Sequence, residues 1–157
     1  MSKWFGKKIA KKFSPMLKHV YLTLGEMSKA FYEKYGEDAL PIIVKVSEEA
    51  GLRSGELARS MIKGGGMKAI GELIDKWVMM DFPVEILELT DDMVHFKISN
   101  CPLGLENTSR ELCEAMMHSD SKMMSIIAGF EVDMKIVNSV ADGSEYCEVI
   151  FSRKKKS

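Results

Sequence analysis

The chain has 157 residues, of which 46% are hydrophobic and 29% charged, and its formal net charge is −1. This length and composition predict one globular domain with a substantial core, and they exclude a disordered or fibrous protein. No apolar run approaches the roughly 18 residues of a membrane-spanning helix. The N-terminus lacks the apolar stretch of a signal peptide, so we expect a cytoplasmic protein.

The two ends of the chain are basic. The first 18 residues contain six lysines and no acid, and apolar residues recur among them at helical spacing at Trp4, Phe5, Ile9 and Phe13. This pattern predicts a basic amphipathic helix over residues 1–14 that docks on its own domain, on an anionic membrane surface or on a protein partner. Ser14-Pro15 can start a second helix. We expect one domain over residues 15–152 and a basic tail over residues 153–157.

Helical periodicity continues through the first half of the chain. Apolar residues step by three or four over residues 16–35 and again over residues 37–63. Gly51 and Gly55 interrupt the second segment, which implies either a break near Gly51 or close packing of another backbone. The run Gly64–Gly66 ends it; without a preceding strand or the GxxxxGK[ST] pattern, this run is a joint and not a phosphate-binding loop.

A third helix is predicted over residues 67–80, and after Pro83 the period changes from helix to strand. Short β-type segments around 84–89 and 93–98 flank a hairpin turn. A helix follows over about 105–129, and two further strands, 131–140 and 145–153, flank Ala141-Asp-Gly-Ser. The order of N-terminal helices followed by a ββ-α-ββ unit predicts an α+β fold with a small antiparallel sheet covered by helices.

All three cysteines lie near the ends of predicted elements in this second half. Cys101 follows the second strand, Cys113 lies in the following helix, and Cys147 shares a strand face with apolar residues. If they converge, they are candidate ligands for zinc or iron, an iron–sulfur cluster included. Two alternatives stay open: a reactive or redox-sensing thiol, and three small buried hydrophobic side chains.

A helical wheel places Cys113 and Asp120 on one apolar face of the helix that carries them. A carboxylate on such a face must be paired, protonated or exposed to a cavity. The alternative is that the helix breaks at His118-Ser-Asp-Ser and that Asp120 caps its second half. The i, i+4 pair Glu114 and His118 resembles a metal-ligand spacing, but it falls on the opposite, solvated face.

These residues resemble those of a known group. The pieces Asn100-Cys-Pro102, Leu112-Cys-Glu114, Asp120 and Gly143-Ser-Glu-Tyr-Cys147 resemble motifs of the 4-vinyl-reductase-type domains and of the L-2-amino-thiazoline-4-carboxylic acid hydrolase-like family. The resemblance covers about residues 20–152. The family's closing motif often reads Gly-Asp-x-x-Cys, whereas here Ser144 replaces that acid and Asp142 precedes the glycine.

The resemblance implies an α+β domain of helices and sheet that encloses an apolar cavity. The first hypothesis for function is a small-ligand-binding or metal- or redox-responsive sensor domain, whose pocket is lined by a methionine-rich helix with Met116, Met117 and Met124. We expect the ligand of this domain to be apolar or thiol-reactive, and a homodimer is a possible assembly of the domain. The alternative is a hydrolase of the amino-thiazoline-carboxylate type that uses Cys113 and Asp120. No recognition-helix pattern accompanies the basic ends, so we expect no nucleic-acid partner.

Overall fold

The computed structural model describes residues 3–155, with side chains from Ser14 onward. The helices and strands in this range are α1 (Lys3–Tyr35), α2 (Leu40–Ser60), α3 (Gly66–Met79), β1 (Val84–Leu89), β2 (Met93–Ile98), α4 (Arg110–Ala128), β3 (Val132–Asn138) and β4 (Cys147–Arg153). The predicted α+β fold, with helices followed by a ββ-α-ββ unit, is confirmed. No helix in the described range is long and apolar enough to cross a membrane.

The four strands form one antiparallel sheet in the order β1-β2-β4-β3. The two hairpins therefore meet at their second strands, and β2 and β4 pair in the centre of the sheet. Opposite residues in this central pair include Val94 with Phe151, Phe96 with Val149, and Ile98 with Cys147. Because side chains alternate along a strand, all of these point to one face, which the helices cover. This face forms the floor of the core.

Helix α1 differs from the expectation at Pro15. One helix runs through this residue, and no second helix starts there. Proline removes one backbone hydrogen bond and costs about 3 kcal/mol in a helix interior, which a helix of 33 residues tolerates because its other turns remain intact. The predicted division of the domain near this residue stays a prediction. The side chains of residues 1–13, on which the basic amphipathic face depends, lie outside the described part.

Helices α2 and α4 approach each other at two glycines of α2. A Cβ atom at Gly51 would overlap the backbone carbonyl oxygen of Ser119, and one at Gly55 would lie 2.9 Å from the Cβ of Ile126. α2 is unbroken at both glycines. Of the two interpretations of these glycines, close packing of a second backbone is therefore correct and a helix break is wrong.

Substitution of Gly51 tests this contact. In a free helix, Gly→Ala stabilises by about 1 kcal/mol, but at Gly51 the new methyl group meets backbone that cannot rotate away. We expect Gly51→Ala to lower the free energy of unfolding by about 1–3 kcal/mol in urea titrations.

Gly71→Ala in α3 is the matched control. There the added Cβ would lie 2.7 Å from Cδ2 of Leu89, the far end of an exposed and flexible side chain. We expect the control to change stability by less than about 1 kcal/mol. Equal losses in the two variants would contradict the proposed role of backbone contact at Gly51.

Candidate functional site

A cavity of about 430 Å³ lies between the helices and the inner face of the sheet. α1, α2 and α4 form most of its walls, α3 contributes Trp77, and β2 and β4 contribute its floor. Its lining is predominantly apolar and includes five aromatic side chains: Tyr21, Phe31, Trp77, Phe82 and Phe96. Tyr21 and Phe82 pack edge to face, with ring centroids 5.6 Å apart. The sheet and helices thus enclose a space suited to an apolar molecule.

The cavity opens to solvent between α1 and α2. Its walls there include large apolar side chains that are also solvent-exposed, among them Met27 of α1 at 66% exposure and Val46 of α2 at 57%. Leu24 and Ile42 share both properties. This opening gives a small molecule a route to the interior without unfolding of the domain.

All three cysteines line this cavity, and none forms a disulfide. Cys113 and Cys147 are buried and Cys101 is partly buried. The Ser139 hydroxyl, itself fully buried, donates a hydrogen bond to Sγ of Cys113 over 3.4 Å. Burial raises the pKa of Cys113 to about 11, and it also raises the pKa values of Cys101 and Cys147. The three thiols are therefore neutral at physiological pH.

In the described structure the three cysteines are not arranged as a group of metal ligands. Across the part of the chain that the structure describes, no group of three or more His, Cys, Asp or Glu side chains is arranged to hold a metal ion. The residues present do not fit zinc, iron or an iron–sulfur cluster in this arrangement, because such groups need several converging thiolate or imidazole ligands. The assignment of Cys101, Cys113 and Cys147 as metal ligands gains no support.

Asp120 lies in the middle of α4, and its side chain faces the cavity. α4 is continuous from Ser109, whose side chain caps it, to Gly129, so the interpretation of Asp120 as a cap after a helix break is wrong. The residue is partly buried; this burial raises the pKa of its carboxyl from the ordinary value of 3.8 to about 6, and its own backbone N–H lowers it by a smaller amount. The predicted shared face of Cys113 and Asp120 is confirmed, since both line the same cavity.

Asp120 is the only charged side chain among the described residues that line the cavity; no Lys, Arg or His accompanies it. No side chain in the described range forms a salt bridge with it or donates a hydrogen bond to it. Tyr21 lies near enough that the carboxylate contributes to the raised pKa of its phenol, after burial. The cavity therefore contains one carboxyl group in largely apolar surroundings.

The other predicted site residues are divided between the cavity and its surroundings. Met116 and Met117 line the cavity, whereas Met124 is fully buried in the core next to the sheet and is not part of the lining. His118 points away from the cavity and its Nδ1 lies 3.3 Å from Oε1 of Glu48 on α2. Glu114 accepts a hydrogen bond from Arg110. Neither Glu114 nor His118 is among the residues that line the cavity.

His95 lies on the outer face of the sheet, as the strand alternation predicts. Its Nε2 is 2.6 Å from Oε1 of Glu148 on the neighbouring strand, and Asn138 donates to the other oxygen of the same carboxylate. No histidine of the described residues lines the cavity. The thiols in the cavity therefore have no imidazole base beside them.

Sequence reasoning missed two parts of this region. The polar contributions of α1 and α2 to the cavity, Ser28, Ser47 and Ser54, depend on how these helices pack, and their only sequence signal is a serine among apolar helix positions.

The second part is Arg110, which donates to Asp142 over 2.7 Å and to the carbonyl oxygen of Ile136 over 2.6 Å. Arg110 thereby ties the start of α4 to the β3–β4 hairpin, and it lowers the pKa of Asp142.

Comparison with solved structures shows a similar fold in a sensory protein. One match is the phenol-responsive sensory domain of the transcription activator PoxR, in a crystal structure with phenol. The TM-score is 0.61, the sequences are 16% identical, and the alignment covers 85% of this chain and 74% of that chain. At this identity the similarity shows the fold alone. No family model matches the chain, and no curated protein sequence matches it.

Substitution of Asp120 by asparagine tests the buried charge. Because the pKa is raised in the folded state, the folded protein binds this proton more tightly than the unfolded chain does. Protonation of Asp120 therefore stabilises the folded protein relative to the ionised state. This contribution is fully present below about pH 4 and is lost as the pH rises through about 6. Above that pH the ionised group disfavours folding by on the order of 2–3 kcal/mol. We expect Asp120→Asn to be more stable than the wild type at pH 7.5 and similar to it at pH 4, in urea titrations at both values. A difference that is the same at both values would contradict the burial of this charge.

Thiol labelling tests the state of the cysteines. With a pKa of about 11, roughly one Cys113 side chain in a thousand is a thiolate at pH 8. We expect iodoacetamide to alkylate Cys113 far more slowly in the folded protein than in urea, and more slowly than the less buried Cys101, as followed by peptide mass spectrometry. Labelling of folded Cys113 at the rate of the unfolded chain would show instead a reactive thiolate.

Proposed function

We propose that this chain is a small-molecule-binding sensor domain. The observation that carries the proposal is the apolar cavity between the helices and the sheet, which is open between α1 and α2. Its volume of about 430 Å³ falls within the roughly 300–1,000 Å³ of ligand pockets, and apolar walls with a few polar groups are typical of such sites. Protein interiors are close-packed and contain few voids larger than a water molecule, so a space of this size suits a ligand.

The sensing part of the proposal has two supports. The first is the similarity of the fold to a phenol-responsive sensory domain. The second is the construction of the cavity, because its walls come from several separate elements, among them α1, α2, α4 and the sheet. A ligand that contacts α1, α2 and the sheet together stabilises one relative position of these elements over others. Binding is thereby converted into a change of conformation or rigidity that a further domain or partner can read.

The remaining interpretations of the cysteines have less support. The hydrolase interpretation requires a thiolate nucleophile, whereas burial raises the pKa of Cys113 to about 11 and no histidine of the described residues lines the cavity to act as its base. A metal-responsive role lacks a converging set of ligands within the described residues. A slow response to oxidants remains compatible with neutral thiols, and the labelling experiment addresses it. In the proposed sensor, the thiols act as small, polarisable parts of the ligand-binding surface.

A cavity-filling substitution tests the proposed function. Ala50 of α2 lines the cavity, so a phenylalanine at this position occupies part of it. The probe is the neutral apolar dye N-phenyl-1-naphthylamine, whose fluorescence rises in apolar surroundings, with phenol as a competitor. We expect the wild type to bind the dye with micromolar affinity and Ala50→Phe to weaken binding at least about tenfold, which corresponds to about 1.4 kcal/mol.

Ala30→Phe is the matched control, since Ala30 is exposed on α1 and does not line the cavity. We expect it to bind the dye as the wild type does, with circular dichroism showing that both variants are folded. Failure of the wild type to bind the dye, or equal binding by Ala50→Phe, would contradict the assignment of this cavity as the ligand site.

A further inference from the structure

Among the residues that the structure describes, one negative charge without a cationic partner lines the cavity. Asp120 is its only charged side chain among the described residues, and the walls around it are otherwise apolar or carry serine hydroxyls. From this arrangement we infer that the ligand is a small amine, with a protonated nitrogen that pairs with Asp120 and an apolar, preferably aromatic, body that fills the rest of the cavity. This inference rests on the proposed function, whose ligand class it specifies.

Two basic side chains near Asp120 on α4 are engaged with another carboxylate. His118 and Lys122, which precede and follow it on α4, both lie beside Glu48 of α2, at 3.3 Å and 3.5 Å. The Lys122 ammonium group and the His118 ring are thus directed to Glu48, at the α2–α4 contact. A buried carboxylate without a cation is costly, so a ligand that brings a positive charge removes a penalty that a neutral ligand leaves in place.

The contact between α2 and α4 supplies further partners for an ammonium group. The backbones meet where Gly51 faces Ser119, the residue before Asp120. Ser47 and Ser54 lie one turn before and one turn after Gly51 on α2, and both line the cavity. An ammonium group has three N–H donors, of which the carboxylate can accept one or two. The serine oxygens are suitable acceptors for the remainder, and water at the open side can complete the set.

The aromatic walls fit the same ligand class. Tyr21 lies near Asp120, and it packs against Phe82, which also lines the cavity together with Trp77. Ring faces attract cations when these lie within about 6 Å of the ring centroid. The same rings provide apolar surface for an aromatic body. An anionic ligand, in contrast, would meet the carboxylate at close range with no cation of the described cavity lining to offset the repulsion.

Three probes of nearly equal size separate charge from shape: 2-phenylethylamine, 2-phenylethanol and phenylacetate, each titrated at pH 7.5 as a competitor of the bound naphthylamine dye. All three probes can contact Asp120 with their polar end, but only the ammonium group of the amine compensates the charge of the carboxylate. We therefore expect the amine to bind about 10- to 100-fold more tightly than the alcohol, and phenylacetate to bind most weakly.

Asp120→Asn is the decisive variant, because it keeps the shape of the side chain and removes its charge. We expect it to reduce the preference for the amine over the alcohol to less than about threefold while binding of the dye and of the alcohol is retained. Asp133→Asn, at an exposed position of β3, is the matched control and should keep the wild-type preference.

The outcomes distinguish the two proposals. Dye binding without a preference for the amine, or a preference that survives Asp120→Asn, overturns the inference about amines and leaves the sensor proposal standing. Absence of binding of the dye and of all three probes by the folded wild type overturns the proposed function itself. Retained dye binding with loss of the amine preference only in Asp120→Asn supports both.

Discussion

The close approach of α2 and α4 is the constraint on which the candidate site depends. Two glycines on α2 bring its backbone against α4, and any larger side chain at Gly51 would meet the carbonyl group of Ser119. The residue after Ser119 is Asp120, so the same contact that fixes the helix pair also fixes the carboxyl group. The helices are held together at this point, while the cavity lies where α1, α2 and the sheet diverge.

The fold was predictable because its signals are local. Alternation along β2 and β4 and the turn residues of both hairpins are properties of short segments, and they predict the sheet correctly. The continuity of α1 through Pro15 was not predictable in this way. Proline usually ends or kinks a helix, but a long helix with many intact hydrogen bonds can include one proline.

The sequence predicts the site residues on α4, but it does not predict those that other elements contribute. A helical wheel suffices to place Cys113 and Asp120 on one face, since the helix is regular. It cannot show that Met124 turns into the core while Met116 and Met117 reach the cavity, because their environment depends on the sheet. The contributions of α1 and α2 depend on tertiary packing alone. The spacing of the cysteines in the sequence likewise does not show whether they line one cavity or bind one metal ion.

Pro15 has a mechanical consequence for a domain whose cavity wall includes the middle of α1. The proline nitrogen has no hydrogen to donate to the carbonyl group of residue 11, so bending α1 at this point costs less than bending it elsewhere. Residues 3–14 span about 18 Å at 1.5 Å per residue. A bend of α1 would therefore be concentrated at Pro15, outside the section from Tyr21 to Phe31 that lines the cavity.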